Sequence, residues 1–68
     1  MNRISLLNEV GLFMINIKND YQDNIISKDK YELMQIELSH LVNEIATTEL
    51  IISITKFNTI KTIYLIMR

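Results

Sequence analysis

The sequence predicts an all-α fold: an antiparallel helical hairpin, a third C-terminal helix, and pairing of the folded chain as a dimer. Three observations carry that expectation. Apolar residues recur at three- and four-residue steps in two separate stretches, the period of a helix that buries one face. Between these stretches lies "KNDYQDNIISKDK", where Asn19, Asp20, Asp23 and Asn24 compete for backbone hydrogen bonds and favour a turn. The 68 residues include no proline and one glycine, Gly11, so the remaining boundaries must be read from polarity and caps.

Helix 1 is expected from about residue 4 to residue 18. Leu6, Val10, Phe13 and Ile17 recur at four, three and four residues and form one apolar stripe, which Leu7 and Met14 widen. The side bearing Ile4, Gly11 and Ile15 is also rather apolar, a width that one partner helix cannot cover. The loop is expected at 19–28 and helix 2 at about 29–47. Asp29 followed three residues later by Glu32 resembles a capping box at the helix start. Tyr31, Met34, Leu38, Leu41 and Ile45 then define a core face, with Val42 alongside. At 100° per residue, Glu32, Gln35, Ser39, Asn43 and Thr47 lie along the opposite side, and His40 flanks them. The segment 48–68 is loaded with isoleucine and threonine, whose branching favours strands. A third helix, a hairpin around Phe57-Asn58 and a tail that orders on a partner all fit it. The third helix is preferred because an isolated hairpin is marginal.

Composition narrows the function. At this length folding buries only about 60 % of the surface of the unfolded chain, so extra stabilisation is needed. There are no cysteines and one histidine, which excludes disulfides and any zinc site built on several imidazoles or thiolates. No metal and no cofactor are expected. A hydrophobic content of 49 % exceeds what so short a chain can hide, which points to another protein as partner and to a homodimer. A formal net charge of -1 offers no general attraction to phosphate backbones, so nucleic acid is not expected. At the amino terminus Asn8 and Glu9 interrupt the apolar stretch and no small-residue cleavage site follows, which reads as a mature helix. In 50–67 Lys56, Asn58 and Lys61 sit centrally, and central lysines cost roughly 2.5–3.5 kcal/mol each on insertion scales. No membrane association is expected, and the location expected is cytoplasmic.

Standard catalytic signatures are missing: no phosphate-cradling glycine loop, no nucleophile elbow, and no second histidine. Glu37 and Glu44, two turns apart on one flank of helix 2, read as solvated surface. The partner-binding candidates are therefore Gln35, Ser39, His40 and Asn43. The core or dimer-face candidates are Leu6, Val10, Phe13, Ile17, Met34, Leu38, Leu41 and Ile45.

Residues 38–46, "LSHLVNEIA", resemble the second-helix signature of the small sporulation-regulating aspartyl-phosphate phosphatases, the Spo-zero-E-like family, whose pattern reads roughly Leu-Ser-Gln-x-Leu-Asp-x-Leu-Ile. Leu38 and Ser39 match its opening pair. His40 stands where the family has Gln, Val42 where it has Leu, Asn43 where it has Asp, and Ile45 and Ala46 where it has Leu and Ile. The layout over residues 4–47 is also similar, with two antiparallel helices and the signature in the second. The resemblance implies docking on the receiver domain of a response regulator through Ser39, His40 and Asn43. Asn43 is not the carboxylate of the motif, which implies a member that binds without dephosphorylating, although an amide can still position water. The loop is longer than the family's, and 48–68 has no counterpart in it. A second expectation is an inhibitor encoded by a phage or plasmid that blocks a host protein. Thirteen isoleucines against the single Ala46 suggest the AT-rich coding that many such elements share.

Overall fold

The computed structural model describes all residues from 1 to 68 and contains three helices and no strand. They are α1 (Arg3–Gln22), α2 (Lys28–Ile45) and α3 (Leu50–Met67). Arg3 at the start of α1 reaches the end of α2, and Asp20 near the end of α1 meets Tyr64 and Arg68 of α3, so the helices run up, down and up. A long axis of 35 Å matches the roughly 30 Å of a 20-residue helix, so the molecule is one bundle deep in every cross-section.

Each start has a local cause. The Asn2 side chain accepts from the Ser5 amide at 2.8 Å and caps α1. For α2 the cap is Ser27, whose hydroxyl accepts from the Lys30 amide at 3.3 Å. This corrects the expected Asp29–Glu32 box: Asp29 lies inside the first turn, where its charge still favours the helix dipole. α3 has no side-chain cap at its start; the Glu49 carbonyl takes the first amides, those of Ile52 and Ser53.

α1 runs one turn beyond its expected end at Lys18. Tertiary contacts override the turn preference of Asn19 and Asp20. Tyr64 donates its hydroxyl to the Asp20 carboxylate, and Tyr21 stacks on Tyr31 of α2 with ring centroids 4.5 Å apart. The helix then stops in a Schellman turn. Asn24 sits in the left-handed region at φ 60, its amide donates to the Tyr21 carbonyl, and the Ile25 amide donates to that of Asp20. The loop therefore shrinks to residues 23–27, and Ile26 folds inward to close the end of the core.

α3 settles the three readings of the tail in favour of a helix. Its threonines are accommodated because the hydroxyls of Thr55, Thr59 and Thr62 each donate to the carbonyl one turn back, at 2.9 to 3.0 Å. Phe57 and Tyr64, two turns apart, fall on one face and are buried.

The core gathers Leu6, Val10 and Ile17 from α1, Met34, Leu38, Leu41 and Ile45 from α2, and Phe57 and Tyr64 from α3. Seven of the eight expected core residues are buried. Phe13 is only half-buried, because it sits at the α1/α3 seam with its ring edge-on to Phe57 and Tyr64 at 5.7 and 5.5 Å. α1 thus touches two neighbours, as its wide stripe requires. No helix carries a basic residue in its last turn, yet two C-termini receive cations from elsewhere. Arg3 donates to the Ile45 and Thr48 carbonyls at 3.0 and 3.2 Å, and Lys30 donates to the Met67 carbonyl at 2.9 Å. The bonds to Ile45 and Met67 satisfy carbonyls that a helix end leaves free and place positive charge at the negative pole of the dipole, while the bond to Thr48 holds the connection between α2 and α3. Ser53 is fully buried, and its hydroxyl has no partner.

Candidate functional site

α2 and α3 are antiparallel, joined by four residues, and Glu44 of α2 meets Lys56 of α3 across the seam. This register lines a groove of about 380 Å³ with Glu37, His40, Leu41 and Glu44 on one wall and Thr55, Lys56, Thr59, Ile60 and Ile63 on the other. Towards the start of α2 it continues into an apolar section of about 320 Å³, lined by Leu33, Met34 and Met67 together with Glu37, Ile60 and Ile63. One groove therefore runs between the helices, polar at one end and apolar at the other, with Glu37 at the junction.

The four candidates on α2 are not brought together. Ser39, His40 and Asn43 are exposed, while Gln35 is half-buried, which corrects its expected place on the outward side. Of these, only His40 lines the groove. Ser39 lies 100° from it around the helix axis, and Asn43 projects outward between them. α3 occupies the flank of α2 that a two-helix hairpin would leave open. The polar trio is consequently split between a concave surface and a convex one.

Within the groove the Lys56 ammonium meets the Glu44 carboxylate at 2.7 Å. Both side chains remain close to half exposed, so the pair contributes at most about 1 kcal/mol and acts chiefly to fix the register of α3. Glu37 takes part in none of the three ion pairs of the chain. No group of three or more histidine, cysteine or acidic side chains is placed to hold a metal ion. One imidazole beside an ammonium-bound carboxylate, with a free carboxylate nearby, makes no nucleophile-base pair. What the groove provides is a trough with a polar section and an apolar section and a negative charge, Glu37, where they meet.

The largest electrostatic perturbation lies elsewhere. Burial, together with the hydrogen bond to the Asp20 carboxylate, pushes the Tyr64 hydroxyl up to about 12, against a smaller opposing pull from Arg68. Tyr64 thus remains a neutral donor and ties α3 to α1. A shallower hollow between those helices holds Lys61 over the Phe57 ring, 4.5 Å from its centroid. α3 is also the one helix long and apolar enough, by length and composition, to cross a membrane.

Sequence reasoning missed the far wall of the groove: Thr55, Lys56, Thr59, Ile60 and Ile63. A signal was present. Glu44 and Lys56 lie 12 residues apart around a short polar break, the spacing that puts opposite charges face to face on antiparallel helices.

Comparison with known protein families, with curated proteins and with solved structures finds no match to this chain.

Proposed function

We propose that this chain is a small helical regulatory protein that acts by binding another protein, with the α2/α3 groove and the adjoining side of α2 as its contact surface. The observation that carries this reading is the balance of apolar side chains. Fourteen large hydrophobic residues are exposed, against ten in the buried core. Apolar surface in that excess is characteristic of a protein whose resting place is an interface. Leu33, Ile36 and Ile63 cluster at or beside the groove, where a helix or loop of a partner would cover them together.

The test uses Leu33→Glu and Ile63→Glu. Both side chains are about half exposed, so the melting temperature should change little while co-purification with the partner is lost. Full retention of the partner by both variants would contradict the reading.

A more specific form of it takes the receiver domain of a response regulator as the target. Ser39 and Asn43 project freely from the second helix of an antiparallel pair, which is the arrangement the family resemblance calls for. Binding to a receiver should then weaken on Asn43→Ala, and phosphate loss from a labelled receiver should not accelerate, because no carboxylate stands at position 43. Unchanged binding would remove this target. The inhibitor reading, from a phage or plasmid and against a host protein, uses the same apolar surface and differs only in the partner recovered.

A further inference from the structure

We propose that the α2/α3 groove takes the outward side of α1 from a second copy of this chain, with Lys18 of that copy against Glu37. This deepens the reading of the groove as a helix-binding site and rests on it. α1 carries a second stripe, distinct from its core face, formed by Ile4, Leu7, Gly11, Ile15 and Lys18 at steps of three, four, four and three residues. Ile4 and Ile15 are 72 % and 55 % exposed, while Leu7 and Gly11 are partly covered within the molecule. At its centre Gly11 has nothing within 4 Å of where a Cβ would stand. A glycine in mid-helix costs about 1 kcal/mol relative to alanine, and no contact inside this molecule requires one there. A bare backbone at that point lets another helix approach closely.

Charge selects the occupant. The stripe contains no acidic residue and ends on Lys18, which joins none of the three ion pairs; the groove is divided by Glu37, which is equally unpaired. The spacing agrees as well. Lys18 lies three residues, about 4.5 Å, beyond Ile15, and Glu37 lies four residues, about 6 Å, beyond Leu33. With the ammonium on the carboxylate and α1 parallel to α2, Ile15 falls into the apolar section beside Leu33; Gly11, about 10.5 Å from Lys18, reaches the end of the groove at Met67, and Leu7 and Ile4 extend past it. Stripe and groove are separate surfaces carried by every copy, so the contact is heterologous.

The experiment is sedimentation velocity on the purified full-length chain over a wide concentration range, with E37K, K18E and an equimolar mixture of the two. Both positions are exposed, and circular dichroism on each variant is the check that the helices are kept. The wild type should gain mass with concentration. Each charge reversal alone should weaken self-association about tenfold or more, because it places like charges together. The mixture should return to wild-type strength, since each variant then supplies the charge that the other lacks. A wild type that stays monomeric throughout, reversals without effect, or a mixture no stronger than its components would each overturn the proposal. No outside partner is present in this experiment, so its failure is separate from loss of a partner by Leu33→Glu and Ile63→Glu.

Discussion

α2 and α3 are both 18 residues long and pack on the same core, yet they are held there by different means. α2 buries Met34, Leu38, Leu41 and Ile45 on one face and turns most of its charged and amide side chains outward, with Leu33, Ile36 and Val42 exposed beside them, so its apolar pattern is the main determinant of its rotation. α3 buries only Ser53, Phe57 and Tyr64 and leaves Ile51, Ile52, Ile63, Leu65 and Ile66 exposed. Apolar residues surround it, and pattern cannot choose a side. Its rotation is set instead by two large aromatic rings and by polar ties: Tyr64 and Arg68 to Asp20, and Lys56 to Glu44. Periodicity orients a helix only when its other faces are polar; where they are not, a few large or charged groups decide, and the apolar remainder is left for a partner.

That contrast can be broken most strongly at Phe57. Phe57→Ala should cost about 3–5 kcal/mol, which is as much as a core of this size supplies. Hydrogen exchange should show α3 losing protection while α1 and α2 retain part of theirs. Leu38→Ala, with a cost of about 2–5 kcal/mol, should instead lower protection throughout the bundle. Equal loss across all three helices in both variants would remove the distinction between them.

Tyr64→Phe is the next largest effect. It deletes a hydrogen bond to a carboxylate, worth about 1.5–3 kcal/mol. Because the hydroxyl is raised to about 12 in the folded chain from an ordinary value of 10.0, its contribution is complete below pH 10 and is lost as pH rises towards 12. Denaturant midpoints measured from pH 9 to 12 should fall more steeply for the wild type than for Tyr64→Phe.

Ser53→Ala sharpens the comparison in the opposite direction. It removes a buried hydroxyl that has no partner, so it should stabilise the chain by about 1 kcal/mol, read as a higher melting temperature. A loss of stability would mean that the hydroxyl is bonded after all. The smallest effect belongs to Lys56→Met, at most about 1 kcal/mol and vanishing in high salt, because the Glu44 pair is largely exposed.

The same contrast explains what was legible in the sequence. α1 and α2 could be placed because Leu6, Val10 and Ile17, and Met34, Leu38, Leu41 and Ile45, repeat at helical steps, in α2 opposite a charged and amide side. The end of α1 could not be read, since its last turn is held by tertiary contacts, Asp20 with Tyr64 and Arg68 more than 40 residues away and Tyr21 with Tyr31 of α2. The cap of α2 was misplaced by two residues because Asp29 and Ser27 are both good caps, and Ser27 is the one whose hydroxyl accepts from a free amide, that of Lys30. On the candidate site, exposure of Ser39, His40 and Asn43 followed from the period of α2. Their separation by the groove did not, because it depends on how α3 is rotated.

The account as a whole turns on whether the exposed apolar surface around the groove is an interface. A photo-crosslinking residue placed at Ile63, on the lip of the groove, and in a parallel sample at Glu32 on the charged side of α2, asks this directly in the cells that make the protein. The account predicts adducts from position 63 both with copies of this chain and with a second, different protein, and few from position 32. Equal yields at the two positions, or adducts at position 63 with copies of this chain alone, would contradict a role in binding another protein.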